Sequence, residues 1–299
     1  MKKADGYSEY IKHQADIEFF GNGVALRFKE LFRAAFDEIT ERLKRLACIS
    51  SKEKYLRLAR EVEDILSRLK TESIKKIKAD ADNIISSEKG WLLSFMLGAG
   101  IAYSVGKSLE QNIKFMPVAG RDSYLDITPA LCEKIKTGVA GVLKTAYLTK
   151  EPSGTVSERL ERQYKRYENY VETELSTTSS ALFRNTDRQI FRENSQQVRY
   201  SAVLDFRTCL SCASYSGILY KPSEAPVLPI HDKCRCFLVP AEIYENEISS
   251  FSQWIETLDD LDKRKYLGKG RYELYKKGVL PESFVNDGRI IPLSELTDN

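Results

Sequence analysis

Four of the six cysteines and one of the two histidines stand close together in the last third of the chain. They form a Cys-x-x-Cys pair, a gap, and then the segment His-Asp-Lys-Cys-Arg-Cys. A Cys-x-x-Cys turn directs two thiolates toward one point, and further donors about two dozen residues later can complete a tetrahedron around zinc. The spacing therefore predicts a metal site, whose candidate ligands are Cys209, Cys212, His231, Cys234 and Cys236.

Five side chains compete here for four positions. A closed structural site would use Cys209, Cys212 and Cys234, with either His231 or Cys236 as the fourth ligand. Cys234 and Cys236 would point to opposite faces of an extended segment, so both can bind one ion only if the chain turns there. We expect a structural zinc, while disulfides formed in an oxidising medium and reduced thiols in a small core remain open as alternatives.

Catalysis is not expected of these residues. Zinc deaminases combine a His-x-Glu with a later Cys-x-x-Cys, whereas here the cysteine pair comes first and Lys233 stands two residues after His231. The only other imidazole is His13, so a Ser-His-Asp or Cys-His arrangement has few sources. The remaining thiols, Cys48 and Cys132, each stand alone in a helical pattern and are expected to be small buried residues.

Composition limits the broad class of the protein. The chain has 299 residues, of which 42% are hydrophobic and 30% charged, and its formal net charge is only +3. A globular protein is indicated, and any basic surface for nucleic acid must be local. The N-terminus lacks the apolar run of a secretory signal, so we expect synthesis in a cytosol.

Helices are predicted for most of the chain. Apolar residues recur every three or four positions between about 24 and 86, which indicates two long amphipathic helices, the second capped by Ser50. A third helix is expected to start at Thr128-Pro129, and the turn-forming residues 151–154 predict a linker. The next helical stretch runs to about residue 198 with a predicted break at residues 176–180.

The pattern of the sequence changes after Tyr200, where isolated apolar residues among prolines and glycines favour short strands and turns. A capping box at Ser250 and Gln253 then starts a last helix, which Gly278 should stop. We therefore predict a mainly α protein with a small α+β C-terminal module, in which short strands surround the Cys/His cluster. The predicted domains are residues 1–151 and 155–299.

Two further stretches bear on partners. The apolar run 91–105 is shorter than the roughly 20 residues that cross a bilayer, so a buried or subunit-packing helix is favoured over membrane contact. The basic stretch 159–199 could meet DNA phosphates, as could the lysines between 70 and 78. Both stretches also contain carboxylates, so a solvated helix face is equally open for 159–199 and is favoured for the lysines.

The cysteine motif and its surroundings resemble one known family, the phage Mu protein F-like head morphogenesis proteins, which are minor capsid components of tailed phages. The resemblance lies in Asp205-Phe-Arg-Thr-Cys209-Leu-Ser-Cys212, then Gly217, then Pro229-Ile-His231-Asp-Lys-Cys234-Arg-Cys236. Members carry Pro-Asn at the position of Asp232-Lys233 and an upstream Arg-Thr-Glu near the position of 184–187. The tail is similar as well, in Phe251-x-x-Trp254, Leu267-Gly-Lys-Gly-Arg271 and Gly288-Arg289, so the similar region covers roughly residues 155 to 296.

This resemblance implies a non-enzymatic protein that is made in the infected bacterial cytoplasm and built into the virion. Its implied role is in procapsid assembly and in DNA packaging or delivery, and its implied partners are the portal protein and other capsid components, with double-stranded DNA as a candidate. A membrane partner is not expected. The alternatives are a zinc-dependent nucleic-acid-processing enzyme and a membrane-associated assembly factor that uses residues 91–105.

Overall fold

The computed structural model describes residues 3–101, 113–118, 121–195, 197–242 and 249–296. Long helices make up most of the described chain, and a few short strands form small sheets, so the predicted fold class is confirmed. The four long helices are α1 (Lys3–Lys44), α2 (Lys52–Gly98), α3 (Tyr124–Thr149) and α4 (Ser153–Asn194).

The remaining elements are short. The helices are α5 (Leu210–Tyr215), α6 (Phe251–Glu256), α7 (Asp260–Lys276), a 3-10 turn (Pro281–Phe284) and α8 (Leu293–Leu296). The strands are β1 (Pro117–Val118), β2 (Arg121–Ser123), β3 (Val198–Ser201), β4 (Leu219–Tyr220), β5 (Phe237–Pro240), β6 (Val285–Asn286) and β7 (Arg289–Ile290). All the strand pairs are antiparallel, and β3 lies between β4 and β5.

Two compact units account for these elements, and several long helices contribute to both. One unit, called here the cysteine unit, comprises the described parts of residues 1–15, 88–109 and 184–299. The other, the helical unit, comprises the described parts of residues 16–87 and 110–183. These boundaries differ from the predicted division into domains at residues 151–155. That division concerns domains and not compact units, and it stays a prediction.

The helical unit is held by apolar stripes along its helices. Phe28, Phe32 and Phe36 recur at helical spacing on α1 and are all but fully buried, as the periodicity predicts. Ile65 of α2 and Ile135 of α3 are buried in the same way. Burial of such side chains contributes roughly 1.5–3 kcal/mol each, so packing and not helix propensity stabilises this unit.

The cysteine unit has a small hydrophobic core of its own. The fully buried members of this core include Phe251, Ile255 and Phe284, which bring together α6 and the 3-10 turn. The predicted capping box of Ser250 and Gln253 is present at the start of α6. The predicted last helix is divided in two, because α6 ends at Glu256 and α7 begins at Asp260. Helix α7 ends at Lys276 before Gly278, whose φ of 95° belongs to the left-handed region, so the predicted stop is confirmed.

Two predicted helix features are wrong. The expected break at residues 176–180 does not exist, because buried hydroxyls bond back to the preceding helical turn: Ser176 donates to the Glu172 carbonyl and Thr178 to the Glu174 carbonyl. The third helix begins at Tyr124 and contains Pro129 in its second turn. Tyr124 and Ile127, one helical turn apart, are buried, and their packing favours a helix before Thr128.

Other boundaries shift by less. Ser51, and not Ser50, caps α2, because its Oγ accepts from the Lys54 backbone N–H at 3.2 Å. The apolar run 91–105 is the end of α2 as far as Gly98, and Leu92 and Met96 are buried there; residues 102–105 lie outside the described residues. Among the described helices, none combines the length and the apolar character that a bilayer crossing requires.

Candidate metal centre

The Cys-x-x-Cys pair forms a sulfur-capped helix start. Cys209 is the N-cap of α5, and its Sγ accepts a hydrogen bond from the Cys212 backbone N–H at 3.3 Å. The free N–H groups at a helix start favour a negative neighbour. This local geometry therefore turns the two thiols toward the same side and stabilises a thiolate at Cys209.

The second ligand segment reaches the same place through a turn. The Cys234 backbone N–H donates to the His231 carbonyl at 3.2 Å, and Lys233 within this turn has a φ of 54°. Cys236 follows immediately before β5, which pairs with β3. The turn that the sequence required for convergence of Cys234 and Cys236 is therefore present.

The donor atoms lie at distances that suit a single ion. His231 Nε2 is 3.2 Å from Cys209 Sγ and 3.2 Å from Cys212 Sγ, and Cys212 Sγ is 3.7 Å from Cys234 Sγ. Zinc–sulfur bonds of about 2.3 Å and zinc–nitrogen bonds of about 2.0 Å at tetrahedral angles separate two sulfurs by about 3.8 Å and a sulfur from a nitrogen by about 3.5 Å. The cluster could therefore hold a metal ion.

The five candidates form two overlapping sets of three. Cys209, Cys212 and His231 have donor atoms within 4.8 Å of one another, and so do Cys212, Cys234 and Cys236. Cys212 belongs to both sets. A cavity of about 20 Å³ is lined by Cys209, Cys212, His231 and Cys236, among other residues, and this is room for about one water or ion.

The orientation of His231 leaves one ring nitrogen for a metal. Its Nδ1 lies 2.8 Å from the Asp232 carbonyl oxygen, which can only accept a hydrogen bond, so the proton is assigned to Nδ1. Its Nε2 faces the sulfurs, to which it donates while the ring is protonated, and it offers a lone pair to a metal once it loses that proton. Metal-binding histidines are commonly oriented by such a carbonyl partner.

The titration behaviour of the cluster follows from thiols that lie against one another. Hydrogen bonding from Cys212 lowers the pKa of Cys209 to about 4 and also lowers the pKa of Cys234, while the pKa of Cys212 itself is raised. The hydrogen bond with Cys209 raises the pKa of His231 to about 9. A few protons therefore offset the repulsion between neighbouring thiolates, and a bound cation would offset it in their place.

A salt bridge joins the two ligand segments. Arg235, between the two cysteines of the second segment, donates through Nη1 to Asp205 Oδ2 at 2.8 Å and through Nη2 to Asp205 Oδ1 at 2.5 Å. The Arg207 backbone N–H also donates to Asp205 at 2.8 Å, which forms a turn ahead of Cys209. The guanidinium of Arg235 lowers the pKa of Asp205 to about 2.

Sequence reasoning missed the structural use of three arginines in the basic stretch 159–199. Arg184 is 3% exposed and donates through Nη1 to the Cys234 carbonyl at 2.7 Å. Arg188 donates to the backbone carbonyls of residues 222 and 223, and Arg199 to the Gly217 carbonyl. These three side chains are thus hydrogen-bonded within the cysteine unit. The sequence held one indication of this role, because Arg184 and Arg188 stand one helical turn apart beside the apolar residues of α4.

The thiols outside the cluster behave differently from those inside it. Cys132 is buried in the helical unit, where burial raises its pKa to about 11, as expected of an inert core thiol. Cys48 is only half-buried, so the expectation of burial holds for Cys132 alone. Neither residue belongs to a metal-binding group among the described residues.

Comparison with known proteins adds no relative. No protein-family model, curated protein sequence or solved structure matches this chain.

Proposed function

We propose that this protein is a minor capsid or head morphogenesis protein of a tailed phage or prophage, without enzymatic activity. In this role it acts in procapsid assembly and in DNA packaging or delivery, with the portal protein as its principal partner. The proposal rests on the resemblance of the cysteine motif to the phage Mu protein F-like family. It assigns the protein to the virion and, during assembly, to the host cytoplasm.

One observation supports it most directly. The two segments that carry the resemblance, 205–212 and 229–236, are distant in sequence but joined by the Asp205–Arg235 pair and by thiols in contact. The shared residues thus fall on one physical feature, the framework of the cysteine unit. A motif that holds a fold together fits a structural component of an assembly.

The upstream segment of the resemblance meets the same framework. Arg184, which stands where the family's upstream motif begins, is buried and bonded to the backbone of the second ligand segment. This contact gives the upstream segment a structural role in the cysteine unit. It adds a third stretch of the similar region to the same feature.

We further propose that the ion is zinc and that its role is structural. Thiolate and imidazole donors in a tetrahedral arrangement favour zinc over magnesium or calcium, which prefer oxygen donors. Cys209, Cys212 and His231 supply three ligands, and either Cys234 or Cys236 supplies the fourth. When bound, the ion would fix the turn before β5 against the start of α5 and close the cysteine unit.

The arrangement of the ligands favours a structural role for the metal over a catalytic one. Both nitrogens of His231 have assigned contacts, Nδ1 with a carbonyl and Nε2 with sulfurs. A general base needs a nitrogen that is free to reach a substrate. A protein loaded with zinc is therefore expected to show no nuclease activity, and zinc-dependent cleavage of DNA would favour the enzymatic alternative instead.

The assembly role is tested in the phage or prophage that encodes the protein. Deleting the gene should yield defective heads, and a tagged copy supplied in trans should restore infectious particles and appear in purified heads with the portal protein. A Cys212→Ser copy should fail to restore them, whereas a Cys48→Ser copy, which loses a half-buried thiol outside the cluster, should succeed. Fully infectious particles without the protein would refute the role.

The zinc proposal is tested separately. Elemental analysis of protein purified under reducing conditions should find about one zinc per chain. Metal-free protein that keeps the same unfolding temperature in the presence and absence of a chelator would refute it. This result would leave the assembly proposal standing, since disulfides could join the same segments in particles released into an oxidising medium.

A further inference from the structure

A second polar cluster lies buried in the cysteine unit, apart from the cysteines. It consists of His13 and Tyr10 on α1, Glu88 on α2 and Asp187 on α4. Glu88 is 0% exposed and Asp187 is 2% exposed. Carboxyl groups are almost never buried this deeply without a specific partner.

The contacts within this cluster are close and specific. His13 Nε2 lies 2.9 Å from one Glu88 carboxyl oxygen and 2.8 Å from the other. Tyr10 donates its hydroxyl to Asp187 Oδ2 at 3.0 Å and also lies 3.1 Å from the Leu238 carbonyl of β5. The other Asp187 carboxyl oxygen, Oδ1, is buried without a hydrogen-bond partner among the described residues, and Glu88 is close enough to act on the charge of Asp187. Two carboxyls buried near each other are not both stable as anions in a medium of low polarity, so one of them is expected to keep its proton.

Aromatic rings close the cluster on its other sides. The His13 ring is stacked on Trp91, with ring centroids 3.5 Å apart and an interplanar angle of 9°. Tyr10 packs edge to face against Trp91 and Phe95, and at 5.5 Å against Phe237. The surroundings are therefore largely apolar, which makes any unbalanced charge costly.

The charge balance of the cluster depends on pH. Among the described residues, the titratable groups that face the two carboxyls are Tyr10 and His13 from α1, while β5 contributes a carbonyl and a phenyl ring. Arg184, on the same helix as Asp187, donates to the Cys234 carbonyl. One imidazolium can balance one carboxylate, so the second carboxyl must stay protonated for the cluster to be neutral.

The cluster also joins all three stretches of chain that make up the cysteine unit. Tyr10 and His13 belong to the first stretch, Glu88 to the second, and Asp187 to the third. We propose that these four side chains form a proton-dependent lock, which holds the first turns of α1 in the cysteine unit while one of the two buried carboxyls keeps its proton and loosens them as the pH rises. The proposal does not depend on the metal site or on the assembly role.

The direction of the effect follows from the carboxyl groups. Burial raises the pKa of Glu88 from 4.5 to about 7, and burial together with Glu88 raises the pKa of Asp187 well above 3.8. A group whose pKa is raised on folding stabilises the folded state fully below its unfolded pKa and loses this contribution as the pH rises through the folded pKa. The lock should therefore be tight near pH 5 and weaken toward pH 8.

Hydrogen exchange of the full-length protein tests this inference. Amide protection in residues 6–15, corrected for intrinsic exchange, should fall about tenfold or more between pH 5 and pH 8. Asp187→Asn should weaken this pH dependence markedly, because the amide keeps the shape but cannot ionise, and Glu88 is then the remaining carboxyl of the four side chains. Asp126→Asn, at an exposed carboxylate of the helical unit, should leave the wild-type profile unchanged.

A second measurement covers the case in which Asp187→Asn does not fold. The chain has two tryptophans, so Trp254→Phe makes Trp91 the sole fluorescent reporter, stacked on the His13 ring. Its emission should titrate between pH 5 and pH 8, and Glu88→Gln should shift or abolish that titration. Unchanged protection and unchanged emission across this range, or an Asp187→Asn variant with the wild-type profile, would overturn the lock.

Discussion

Substitution of Cys212 is the sharpest test of the metal centre. Cys212 is the one thiol that belongs to both groups of potential ligands, and its Sγ lies 3.2 Å from His231 Nε2 and 3.7 Å from Cys234 Sγ. Both groups of three therefore lose a ligand when Cys212 is replaced, whichever residue is the fourth. Cys212→Ser should disable the site, whereas loss of a spare ligand should not.

The magnitude follows from the energetics of structural zinc sites. Their binding free energy is about 10–16 kcal/mol and stabilises the folded state directly. One of four ligands accounts for roughly 3 kcal/mol of that, which corresponds to a loss of more than a hundredfold in affinity. Because binding is coupled to folding, the cysteine unit of Cys212→Ser should melt at a lower temperature and no longer respond to added zinc.

The assay combines chelator competition with thermal unfolding monitored by circular dichroism. Cys48→Ser is the matched control, since it removes a half-buried thiol from the other unit. His231→Ala, Cys234→Ser and Cys236→Ser measured in the same way identify the spare ligand as the one whose loss costs least. Full zinc retention and unchanged melting in Cys212→Ser would refute the shared-ligand reasoning.

Three further substitutions probe the support of the site and of the helices. Asp205→Asn should lower the free energy of unfolding by about 1 kcal/mol at pH 7, a small value because Asp205 is 35% exposed. Arg235 lowers the pKa of Asp205 to about 2. The difference in denaturant midpoint between the variant and the wild type should therefore shrink as the pH falls from about 4 toward 2. Arg184→Met should cost about 2 kcal/mol by leaving the Cys234 carbonyl without its donor, and competition with a chelator should show about tenfold weaker zinc retention. Gly90→Ala, on an exposed interior position of α2 with nothing within 4 Å of the added carbon, should raise stability by about 0.5–1 kcal/mol in thermal melts, and a lower melting temperature would contradict this expectation.

The arginines of the basic stretch show that the partner of a charged residue cannot be read from its place in the sequence. Arg184, Arg188 and Arg199 look like a surface for phosphates when only their order in the chain is known. In the fold each of them donates to backbone carbonyls of the cysteine unit. A guanidinium has five N–H donors and satisfies carbonyls as readily as phosphates, so its partner depends on what the fold brings near it.

The sequence alone determined the features that depend on neighbours along the chain. The spacing of apolar residues predicted the long helices, Gly278 predicted a helix end, and the capping box predicted the start of α6. The five candidate ligands were identified by residue type and spacing, because a Cys-x-x-Cys turn is a local structure. Hydroxyl-rich residues 176–180 misled the same reasoning, since burial in the tertiary structure decided their conformation.

Only the tertiary structure decided which distant groups meet. It placed Arg235 against Asp205 and Arg184 against the Cys234 carbonyl. It also buried Glu88 and Asp187 beside His13, although these three residues lie far apart in the chain and on different helices. Such contacts depend on how helices and strands pack, and no local pattern encodes them; for this reason the sequence indicated the metal site but not the proton-dependent cluster.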